Sequence, residues 1–85
     1  MKKSKKLLHE LLDLLLDKEP ETPVVMEVSA LNCTAEVWFY DVHPDGEIKT
    51  KASYHRMGDR WEKWDENCHV TDVSDADVLE ALRNA

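Results

Sequence analysis

Eighty-five residues, 42% of them apolar, with two glycines and three prolines, leave room for one ordered domain with a modest core and exclude a linker or disordered tail. The formal charge of −7 is uneven: Lys2, Lys3, Lys5 and Lys6 precede residue 7, after which seven cations face eighteen acids. That field repels duplex nucleic acid and favours a basic partner surface.

The N-terminal "MKKSKKLLHELLDLLLDKEP" places basic residues before leucines, as a secretion signal does. Glu10, Asp13 and Asp17 interrupt the apolar run, however, and no small-residue cleavage site follows. No stretch approaches the roughly 20 apolar residues of a membrane span. With two cysteines and no export signal, a reduced cytoplasmic setting is expected. Residues 4–18 read instead as a helix. Leu7, Leu8, Leu11, Leu12, Leu14, Leu15 and Leu16 form a broad apolar side, Ser4 is placed as its N-cap, and Pro20 disfavours helix at Glu19. Seven leucines must lie on a sheet or a partner.

A first strand opens near Val24, with Val24, Met26, Val28 and Ala30 on one face and Glu27 and Ser29 on the other. "NC" at 32 and 33 falls in the turn before the second strand. "VWFYDVHPDGEIKTKASYH", residues 37–55, reads as a hairpin. Its "HPDG" fits a type I turn closed by a glycine bulge, so that a three-residue loop sets His43 opposite Glu47. Counting outward, Val42 meets Ile48, Asp41 meets Lys49, Tyr40 meets Thr50 and Trp38 meets Ala52. A two-residue Asp-Gly loop would mix charged with apolar partners.

Successive strand residues point to opposite faces, so Trp38, Phe39 and Tyr40 cannot all enter the core. The bulged register assigns Trp38, Tyr40, Val42, Ile48, Thr50, Ala52 and Tyr54 to the core face. Val37, Phe39, Lys49, Lys51, Ser53 and His55 then lie opposite. "MGD" at 57–59 turns into "RWEKWDE", where one of Trp61 and Trp64 joins the core and the other joins Phe39. A short connection leads to "VSDADVLEALRNA", a helix with Ser74 as N-cap, Asp77 completing a capping box, and Val73 and Val78 as a hydrophobic staple. Asp75 and Asp77 suit its positive start and Arg83 its end. The expected fold is therefore α+β, a single domain over residues 1–85: a four-stranded antiparallel meander with an N-terminal and a C-terminal helix, α-β-β-β-β-α.

Specific chemistry is thin. Cys33, His43, His55, Cys68 and His69 are candidate metal ligands, but their spacing is poor, with no Cys-x-x-Cys or His-x-x-x-His, so no metal and no cofactor is expected. Cys33 and Cys68 fall near opposite ends of the meander, too far apart for a disulfide. Cys68 and His69 are adjacent and so poorly placed as nucleophile and base. Asp65/Glu66 and Asp75/Asp77 fall in charged stretches where nothing raises a carboxyl pKa, and two glycines cannot build a phosphate loop. These observations point away from an enzyme.

Two surfaces are left. Phe39, Lys49, Lys51, His55 and Trp61 would form an aromatic–basic platform on the outer sheet face, suited to a homodimer or partner contact. Cover by the C-terminal helix would leave that platform idle. Single-stranded nucleic acid or a small anionic ligand is the alternative occupant, although the overall charge opposes nucleic acid. Asp59, Glu62, Asp65, Glu66, Asp72, Asp75 and Asp77 would form an acidic array for another protein with a basic or nucleic-acid-binding surface. In size, charge and lack of catalytic motifs the chain broadly resembles small acidic inhibitors from phages and mobile elements, including many anti-CRISPR proteins, as well as immunity proteins and antitoxins. That resemblance covers no motif. It implies a small acidic non-catalytic binding protein, a stoichiometric inhibitor or adaptor without a membrane partner.

Overall fold

The computed structural model describes residues 2–29 and 34–85. Its elements run α1 (Lys2–Leu16), β1 (Val24–Ser29), β2 (Thr34–Val42), β3 (Ile48–Met57), β4 (Arg60–Asp65), β5 (Val70–Val73) and α2 (Asp75–Arg83). The five strands form one antiparallel sheet in sequence order. Among the described residues no helix is long and apolar enough to cross a membrane. Ala30 and the expected turn at Asn32 and Cys33 lie outside the described residues.

Both helices pack on the same side of the sheet. Leu7 and Leu11 of α1 and Val78 and Leu82 of α2, each pair spaced i,i+4, bury against Ala35, Val37, Tyr54 and Trp61. Helix α1 starts at Lys2, so Ser4 lies within its first turn rather than capping it; the preceding lysines are good helix formers. It ends at Leu16, ahead of Pro20. Beyond it, Lys18 Nζ donates to the carbonyl oxygens of Arg83 at 3.0 Å and Ala85 at 3.1 Å. A cation is thereby set at the negative end of α2.

The β2–β3 turn matches the sequence reading. Gly46 N–H donates to His43 O, His43 N–H donates to Glu47 O, and Gly46 takes φ of 90°, which glycine adopts at little cost. Near the turn, Val42 pairs with Ile48, Asp41 with Lys49 and Tyr40 with Thr50, as expected. The register then slips. Phe39 pairs with Ala52 and Trp38 with Ser53, leaving Lys51 as an extra residue on β3.

That bulge overturns the expected faces. On β3, Ala52 and Tyr54 do face the helices, but their partners across β2 are Phe39 and Val37. Trp38 and Tyr40 therefore lie on the open face. Phe39 packs edge-on against Tyr54, with ring centroids 5.6 Å apart. Val42, Ile48 and Thr50, also expected in the core, are exposed in a hairpin tip that neither helix covers.

The stretch read as a short connection contains a fifth strand, which corrects the four-strand expectation. The β4–β5 turn repeats the β2–β3 design: Asp65 N–H donates to His69 O and Cys68 N–H to Asp65 O, with Cys68 at φ 64° where the other turn has glycine. The Asp65 carboxylate accepts from the amides of Asn67 at 2.8 Å and His69 at 2.9 Å. The His69 amide, more than any other group, holds that carboxyl below its ordinary value.

The capping box of α2 is present as expected. Ser74 N–H donates to Asp77 Oδ2 at 2.8 Å, and Asp77 N–H donates to Ser74 Oγ at 3.2 Å. Ser74→Ala is expected to lower stability by about 1 kcal/mol, read as a fall in thermal midpoint by circular dichroism. The Ser74 amide, then its hydroxyl, holds the Asp77 carboxyl below its ordinary value of 3.8. A carboxyl depressed on folding contributes stability that is present above its unfolded value and lost as pH falls through the folded one. Asp77→Asn should therefore flatten the loss of stability below pH ~4. Equal pH slopes for the two proteins would contradict this.

Candidate binding surface on the open sheet face

The strand registers align side chains into two cross-strand rows on the face away from the helices. One row runs Val25, Trp38, Ser53, Trp64, Val70; the next runs Glu27, Glu36, His55, Glu62, Asp72. The first is largely apolar. The second places four carboxylates around one histidine. Both follow from alternation: Ala35, Val37 and Phe39 turn to the helices, so Glu36, Trp38 and Tyr40 turn away.

The centre of this face is ordered by contacts among its own side chains. The His55 ring meets Trp38 edge-on at 5.2 Å between centroids and Trp64 at 6.1 Å. Its Nε2 lies 2.9 Å from Ser53 Oγ, and its Nδ1 lies 3.6 Å from Glu36 Oε1. Trp38 Nε1 donates to Glu36 Oε2 at 3.0 Å. Ser53 is buried, while Trp64 is 37% exposed, Val25 43% and Val70 46%. Trp38, His55, Trp64 and the β4–β5 turn outline a shallow cleft of about 370 Å³.

Flat indole faces beside carboxylates suit a guanidinium or ammonium group. The ring attracts the cation through its quadrupole and the carboxylate accepts its hydrogen bonds. Among the described residues no three His, Cys, Asp or Glu side chains converge closely enough to hold a metal ion. Cys68, His43 and His69 are exposed, and Cys33 lies outside the described residues.

The residues expected to form sites scatter. Glu62 and Asp72 lie in the acidic row, and Glu66 is exposed at the cleft. Asp65, Asp75 and Asp77 hold internal bonds: Asp65 shapes its turn, Asp77 caps α2, and Asp75 Oδ1 accepts from Trp61 Nε1 at 2.7 Å. Asp59 sits exposed in the β3–β4 turn. On the expected sheet platform, His55 is on the open face, but Phe39 and Trp61 are on the helix side, Trp61 being 1% exposed. Lys49 is in the hairpin tip, 3.7 Å from Glu47, and Lys51 is the extra bulge residue. The platform is thus acidic where a basic one was expected. Glu27 and Glu36 were missed, although Glu36 shares the parity of Trp38 and so marks that face as the open one.

No protein-family model matches this sequence, and no curated protein and no solved structure matches it either.

Proposed function

We propose that this chain is a non-catalytic binding protein whose open sheet face takes a basic protein surface, as a stoichiometric inhibitor or adaptor does. The observation that supports it is the pairing of the Trp38–Trp64 row with the Glu27–Glu36–Glu62–Asp72 row. Arginine or lysine side chains of the partner would lie on the indoles with their charge against the carboxylates. Single-stranded nucleic acid would set its phosphates against four carboxylates, and Phe39 is not available to stack its bases.

An oligo-arginine peptide tests the reading. Binding should weaken steeply with added salt. Glu62→Lys/Asp72→Lys should reduce affinity about tenfold or more. Asp45→Lys/Glu47→Lys changes net charge equally but at the hairpin tip, and should have a much smaller effect. Equal losses in the two double variants would assign the binding to net charge and remove the case for this face.

A further inference from the structure

A second candidate site lies on the other side of the sheet, independent of the open face. Helix α1 leaves strand β1 partly uncovered, and between them runs a groove of about 730 Å³. Leu12 and Leu15 line one wall and Met26 and Val28 the other; Leu12 is 44% exposed and Val28 55%. The groove follows α1 from Lys5 to Leu15, about 15 Å at 1.5 Å per residue.

One end of this apolar groove holds a charge with no ion-pair partner among the described residues. Arg56 lies on the helix side of β3, between Ala35 and Trp61, and is 6% exposed. Its Nε is buried and has no hydrogen-bond acceptor among the described residues. None of the ion pairs among the described residues involves it. A guanidinium nitrogen kept from water normally has a carboxylate or carbonyl beside it. Lys5, at the start of α1, adds a second cation to the same end, and Asp59 is the one carboxylate among the described residues along the groove.

We propose that this groove binds a small amphipathic carboxylic acid, an alkyl-chain monocarboxylate. Its tail would lie between α1 and β1 and its carboxylate would accept from the Arg56 guanidinium. Mostly apolar walls, two cations at one end and a volume within the roughly 300–1,000 Å³ of small-ligand sites fit such a molecule. The guanidinium fork matches a carboxylate in shape and charge. A phosphate dianion would carry surplus charge beside Asp59. No bond is made or broken.

Decanoate and dodecanoate, each below the concentration at which it forms micelles, are the probes, with decanol as neutral control. Calorimetry should show saturable one-to-one binding of both acids, and at least tenfold weaker binding of decanol. Arg56→Met should bind decanoate at least tenfold more weakly than the wild type and no better than decanol. Arg56→Lys should recover part of the loss. The Arg56 Nε–H resonance should shift with decanoate and not with decanol. Absence of saturable binding overturns the proposal, as does equal binding of acid and alcohol. Light scattering on the same samples supplies the last outcome: a dimer dissolved by Leu12→Glu would give the groove to a second copy and likewise overturn it.

Discussion

Trp61→Ala is expected to cost roughly 3–5 kcal/mol, whereas Trp64→Ala should stay within about 1 kcal/mol. The two tryptophans sit three residues apart on β4 and differ in which side of the sheet they join. Trp61 is 1% exposed among Val37, Tyr54, Val78 and Leu82, and its indole N–H anchors the first turn of α2 through Asp75. Its removal empties the centre of the core and releases that anchor. A domain of this size has about 5–10 kcal/mol in all, so the variant should be largely unfolded on modest warming. Trp64 loses mainly its contact with His55. Urea titrations of the two variants decide the matter. A larger loss for Trp64→Ala would put the helices on the opposite face.

The helices, the glycine-closed hairpin turn and the α+β class were legible because each rests on local chemistry. Seven leucines at helical spacing, Pro-Asp-Gly after His43, and Ser74 with Asp77 each act within a few residues. The faces of the hairpin were not, because one extra residue at Lys51 shifts every pairing beyond it. Near the turn the pairing was right; past the bulge it was wrong by one, so Ala52 and Tyr54 face the helices as expected while Val37 and Phe39, not Trp38, lie opposite them. A signal was present all the same: "TAEVWFY" alternates Ala35, Val37 and Phe39 with Thr34, Glu36, Trp38 and Tyr40, and a glutamate belongs on the wet side. Strand β5 escaped because its turn carries Cys68, not glycine, in the left-handed position. The acidic row depends on register across five strands, information no single segment holds.

The same parity, not applied beyond Tyr54 in the sequence reading, marks Arg56 as an anomaly. Ala52 and Tyr54 face the helices, so residue 56 must do so too, and it is an arginine. Without ligand, that choice should cost stability. Arg56→Met keeps an apolar stem of similar reach along Ala35 and Trp61 while removing a guanidinium whose Nε is buried with no acceptor among the described residues. It is expected to raise stability by about 1–3 kcal/mol, seen as a higher urea midpoint with an unchanged slope. Arg56→Ala should do the reverse, since it also gives up the packing of the stem. The opposite signs separate the cost of the charge from the value of the side chain's bulk. A loss in both variants would mean that the guanidinium is satisfied within the folded chain, and the reason for expecting an acid in the groove would go with it. Decanoate should then distinguish the proteins once more: it raises the wild-type midpoint with concentration, as a ligand of the folded state must, and leaves the midpoint of Arg56→Met nearly where it was. A side chain that weakens the empty fold and is stabilised only when the groove is filled has a physical reason to be there that packing does not supply.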